Sequence, residues 1–196
     1  MNRTTWHRTL YTPLPASISP DRVTSLLQDH HALIHLSPLV TSCELQDSSG
    51  PAPSDSMSQD AKTYNIQERI PFVLGLGTTI SFTATFTNVP NGIDTVLHAP
   101  LGLVSKQKCR VLRTEDAKDD VAARTSNNAV EGAYADSEGG EVRDANGDEI
   151  STEWVFREDV ESEVALALKW YVDSTLVKTR REIAARMIEK VRHEGK

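Results

Sequence analysis

No apolar run reaches the roughly 18 residues that a membrane-crossing helix requires, so nothing in this chain reads as a transmembrane span. The start is equally unlike a secretory leader: Met1 to Leu10 holds Arg3, His7 and Arg8 and has no apolar centre. Cysteine is scarce. Cys43 and Cys109 are the only two, and their separation fits neither a metal pair nor a redox pair. These absences set the expectation of a reduced, cytoplasmic protein. Aromatic residues make up 6% and hydrophobic residues 38% of the 196 positions. That supports one globular core of modest size, hence a single domain spanning 1–196.

The net charge of −7 is not spread evenly. Between Thr114 and Ser151 eleven acids face three bases, Lys118, Arg124 and Arg143, a local net of −8 that leaves the rest at +1. The segment is also rich in small residues and poor in large apolar ones, so disorder is expected across 114–151. The remainder, near neutrality, offers no electrostatic footprint for nucleic acid. Within the acidic stretch Asp144, Asn146 and Asp148 faintly suggest a calcium loop. Gly147 comes at the fourth position rather than the sixth, and the distal glutamate is missing. A solvated turn accounts for it better.

What the chain does have is one long helical pattern, at its end. Leu168, Val172, Leu176, Ile183, Met187 and Val191 recur in steps of four and three, with Thr179 filling the gap. The pattern predicts a helix over 166–193, roughly 40 Å long at 1.5 Å per residue. Lys178, Arg180, Arg181, Glu182, Glu189 and Lys190 are placed on its outer face.

Most of what precedes it reads as strand. Thr5 to Tyr11 is a short strand ended by Pro13 and Pro15. Ser19-Pro20 starts a helix carrying Val23, Leu26 and Leu27, and a second short helix runs from Asp29 to Leu36. Leu39 to Leu45 is a strand containing Cys43. Gln46 to Ala61, dense in Ser, Pro and Asp, is a flexible loop. Thr63 to Ile70 resumes as strand. In Thr78 to Thr87, Ile80, Phe82, Ala84 and Phe86 alternate with threonine and serine. Asn91-Gly92 then signals a hairpin, which sets Phe86 opposite Leu97 and turns His98 away. In the next strand Ser105, Gln107, Cys109 and Val111 oppose Lys106, Lys108 and Arg110. Glu153 to Val164 alternates Trp154, Phe156, Val160 and Val164 against charged neighbours.

This order of strand, two small helices, about six strands and a long helix resembles the helix-grip fold of the Bet v 1-like, START and polyketide-cyclase (SRPBCC) superfamily. Local stretches resemble an uncharacterised fungal family within it: Thr12-Pro13-Leu14-Pro15, His31-Ala32-Leu33-Ile34, Pro38-Leu39-Val40, Tyr64 to Pro71, and Val96 to Gly102. The resemblance implies an α+β fold, a curved antiparallel sheet of about seven strands wrapped on the C-terminal helix. It further implies a cavity between them that often holds an apolar ligand. None of these motifs is catalytic.

On that fold the concave face would present Tyr64, Ile66, Phe82, Phe86, Leu97, Gln107, Cys109, Trp154 and Phe156, answered from the helix by Leu168, Tyr171 and Val172. Aromatics with a few inward polar groups describe a small-molecule pocket; they describe a filled core almost as well. Ser105 and Gln107 tilt the balance toward a pocket, because buried polar groups need partners. Glu158 is the only acid on the apolar face of its strand. It is either an acid or base of raised pKa or a residue that sits at the sheet rim or marks a bulge. His30, His31 and His35 lack an acid or cysteine to complete a metal site. No Ser-His-Asp order, phosphate loop or dinucleotide fingerprint occurs, so no metal and no cofactor is expected. The bases of the last helix are those that a transient contact with anionic lipid would use, although Glu182 and Glu189 dilute them. The leading expectation is binding or carriage of a hydrophobic small molecule or lipid. The alternative is a cyclase- or hydratase-like enzyme using Glu158, Gln107 or Tyr171 on a polyketide-like substrate.

Overall fold

A computed structural model of the chain describes residues 2–46, 61–71, 77–127, 151–166 and 169–193, with the backbone alone at 71, 121–127 and 170–177. Seven strands form one antiparallel sheet: β1 (Arg3–Leu14), β2 (Val40–Leu45), β3 (Lys62–Pro71), β4 (Gly77–Val89), β5 (Gly92–His98), β6 (Val104–Arg113) and β7 (Trp154–Ala165). Their order in the sheet is β1-β7-β6-β5-β4-β3-β2. Two short helices, α1 (Pro20–Gln28) and α2 (His30–Ile34), follow β1. A helix α3 (Thr114–Asn127) follows β6, and α4 (Lys169–His193) ends the fold. The core joins one face of the sheet to α1, α2 and α4. Leu14, Val23, Leu27, Ile34, Ile66, Phe86, Val111 and Phe156 meet Ala184, Met187 and Val191 there. This is the helix-grip fold.

Local chemistry explains most boundaries. Ser19 is extended at the cap of α1 and Pro20 takes the first helical position, where its fixed φ fits and its missing N–H costs nothing. Asp29 caps α2 by accepting from the Ala32 N–H. β1 runs through Pro13, which lies opposite Val155, beyond the stop that the sequence implied. A proline is tolerated there because β1 is an edge strand and its other side needs no ladder bond. The β4–β5 turn is also displaced. Pro90 and Asn91 make it, and Val89 pairs with Gly92. Phe86 therefore lies opposite Thr95, and Leu97 opposite Ala84. Moving the turn by one residue shifts the register by two, so each side chain keeps its face. Gly92 serves β6 rather than the turn: a Cβ there would lie 1.9 Å from the Cys109 carbonyl oxygen.

The acidic stretch requires a correction. Its first third is the helix α3, not disorder; 128–150 lies outside the described residues, as does 47–60 of the Ser/Pro loop. Acid content opposes burial of a long segment, but Glu115 and Asp116 stand in the first turn of α3, where the helix dipole favours negative charge. Ala117 then packs on Val155, Tyr11 and Leu112. The Thr114 hydroxyl donates to the Thr152 carbonyl at 2.6 Å. α3 thus covers the outer face of β6, β7 and β1.

Candidate functional site

Strand alternation sends one row from each strand into the space under α4. β6 contributes Ser105, Gln107 and Cys109, and β7 contributes Phe156 and Glu158, all buried. β4 adds Phe82, Ala84 and Phe86; β5 adds Thr95 and Leu97. All of these but Ser105, with Leu27, Leu33 and Ile34 from the small helices and Ile183 and Met187 from α4, line a partly open cavity of about 110 Å3. Among the described residues three charge-bearing side chains reach it: Glu68 from β3, Glu158 from β7 and Arg180 from α4.

Glu158 is 3% exposed, well inside the sheet rather than at its rim. Its Oε1 lies 3.5 Å from Nη1 of Arg180. Burial pushes its carboxyl above the ordinary value, and the Arg180 charge restrains that rise only in part. Glu68 accepts a hydrogen bond from the Ser37 hydroxyl at 3.0 Å. Burial raises its pKa too, against the Ser37 bond and the same Arg180. One guanidinium therefore acts on two cavity carboxyls, one buried and one partly exposed. Cys109, opposite Glu158 in the ladder, is pushed up to about 12, chiefly by burial and then by Glu158. A thiol held that far from its anion is no nucleophile.

Of the residues that the sequence singled out, Phe82, Phe86, Leu97, Gln107, Cys109, Phe156 and Glu158 line the cavity together. Tyr64 stands behind Phe86, ring edge to face at 5.7 Å. Trp154 lies at the start of β7, with Arg113 over its ring at 5.1 Å. Leu168 lies outside the described residues, and the side chains of Tyr171 and Val172 are not among those described. Arg180 corrects the sequence reading: it lies on the cavity side of α4, not the outer face. The signal was present, since 180 is four beyond Leu176 and three before Ile183; Thr179 was placed on the stripe instead. Glu68 was equally legible, two residues along from Ile66 on the same face of β3. The basic cluster on α4 loses Arg180 inward, and Arg186 pairs with Glu182.

The histidines divide. His30 is buried, stacked on Phe86 at 5.2 Å, with its Nε2 2.8 Å from Asn88 Oδ1. His31 and His35 contact each other. Among the described residues no group of three or more metal-ligating side chains comes together, and no helix is long and apolar enough to cross a membrane.

The sequence matches, over residues 2–193, the profile of a family described as a domain of unknown function, DUF7053. The chain belongs to that family. Among curated proteins the DUF7053 chain finds no match. Among solved structures it is similar to TTHA0849 from Thermus thermophilus, at 12% identity and a TM-score of 0.51, over 98% of this chain and 100% of that one. It is also similar to a protein from Rhizobium leguminosarum, at 11% identity and a TM-score of 0.49, over 98% and 99% of the two chains. A third likeness is to Ara h 8.0201, at 10% identity and a TM-score of 0.46, over 96% and 99%. The first of these likenesses shows a shared fold and nothing further.

Proposed function

We propose that this DUF7053 chain, as a member of the Bet v 1-like and START superfamily, binds a small hydrophobic molecule between its sheet and α4. The observation that carries the reading is the cavity itself: a partly open space walled by Phe82, Phe86, Leu97, Phe156 and Met187 that no side chain of the described residues fills. A close-packed core leaves few voids larger than a water. At about 110 Å3 the space is of the order of the ~150 Å3 void that admits a benzene ring. A ring or short branched chain fits it; a long-chain lipid requires the walls to part.

Native mass spectrometry of protein purified from its own cells tests the reading. A small apolar adduct that disappears in Ala84→Phe supports it, because Ala84 lines the cavity and the larger ring would occupy it. A wild-type spectrum free of adduct, together with no response to added toluene, overturns it. An enzymatic reading, cyclase- or hydratase-like, draws on one observation: Glu158 is an acid of raised pKa inside the same cavity. It predicts a turnover that Glu158→Gln abolishes.

A further inference from the structure

Among the described residues, three charges share the cavity and do not balance. Glu68, Glu158 and Arg180 sum to a formal −1 when both acids are ionised. Arg180 reaches one of them directly, at 3.5 Å from Glu158, while the neutral hydroxyl of Ser37 serves Glu68. The remaining polar lining, Thr95 and Gln107, brings no charge. Glu158 is buried and Glu68 partly so, and a carboxylate held out of water without a cation of its own is costly. A ligand bearing a carboxylate would add a second negative charge to this site. A ligand bearing one ammonium would supply the missing cation and form charge-assisted bonds to an acid already in place.

Resting on the binding function proposed above, we infer that the ligand of this cavity is a small apolar amine, held through its ammonium group by Glu68, the acid that Arg180 does not reach directly, and by the aromatic wall through its body. Arg180 keeps the two acids apart in role: it neutralises one and leaves the other for the ligand. The pocket selects for a cation and against the matching acid of the same shape.

The test uses the full chain and four probes of one shape: toluene, benzyl alcohol, benzylamine and benzoate, titrated near neutral pH and read from the methyl NMR shifts of Met187 and Leu97. The expected order is benzylamine tightest and benzoate weakest, the two differing by about tenfold or more, the step that one charge-assisted hydrogen bond contributes. Glu68→Gln removes one unit of negative charge and keeps an oxygen for Ser37. In it the benzylamine advantage should vanish while toluene binds as before. Toluene binding with benzylamine no tighter than benzyl alcohol overturns the inference and leaves the cavity reading standing. Benzoate binding tightest overturns it as well. If none of the four binds, the binding function itself has failed. The wild-type series decides the matter without any variant, should Glu68→Gln fold poorly.

Discussion

Two neighbouring residues of β7 point to opposite faces of the sheet, and both are buried charges. Arg157 faces outward under α3 at 6% exposure; Glu158 faces inward at 3%. Arg157 is held from two sides, by Asp120 of α3 and by Asp159. Asp159 is itself tied to the Thr9 hydroxyl at 2.8 Å. Among the described residues Glu158 has one long contact, to Arg180, and open space beside it. The outer charge is a fastener: each of its two Nη groups has a carboxylate, although its buried Nε has no partner among the described residues. The inner charge is only partly satisfied, and that is how a binding or reacting group is kept available.

Substitutions can sharpen or erase this contrast. The largest effect is expected on the outer face. Arg157→Ala removes the partner of two acids and unpins α3, and a loss of about 3 kcal/mol is anticipated, the low end for breaking a buried pair. Chemical denaturation would read it, with binding of apolar probes unchanged. If Arg157→Ala proves neutral, the outer charge is no fastener and the contrast collapses.

Next come the aromatic walls. Phe86 has ring partners in His30 and Tyr64, whereas no ring stacks on Phe82 among the described residues. Phe86→Ala should cost about 3–4 kcal/mol and Phe82→Ala visibly less, since a side chain that borders a void has fewer contacts to lose. Equal losses in thermal or urea unfolding would argue that the wall is solid on both sides.

A smaller effect is expected from pH. Glu158 and Glu68 both have folded-state pKa values raised above the ordinary 4.5. Each favours folding fully below that value, and the advantage is lost as pH climbs through the raised one. Stability should therefore fall as pH rises above the ordinary carboxyl value and through the raised one, and Glu158→Gln should flatten the decline. A wild-type curve parallel to that of the variant would show that Glu158 stays ionised when buried. The smallest effect belongs to the surface: breaking the Arg186–Glu182 pair on α4 should change stability by about 0.3–0.5 kcal/mol.

The inner face was largely legible in the sequence because alternation is a strict rule: seven of the cavity residues follow from counting by two along β4 to β7. The outer face was not. Arg157 reads as one more solvated charge in an alternating strand until α3 is known to lie on it. α3 itself hides behind its composition, since acidity predicts disorder and the buried side of the helix rests on a residue as small as Ala117. Arg180 was missed for a different reason. A hydrophobic stripe is searched for by apolar residues, and a functional charge on that stripe appears as a gap. Tertiary partners, here Glu158 and Glu68, are what make such a gap intelligible.

The pairing of β1 with β7 sets a timetable for synthesis. Arg3 finds its place only against Ala165, while β3 to β6 close by hairpins between near neighbours. As the chain leaves the ribosome, the first strand made is among the last to be paired. Until β7 arrives it trails as a loose ribbon with its backbone amides unclaimed. So remote a closure predicts slow folding and an interval in which a chaperone, or a second nascent copy, competes for that ribbon.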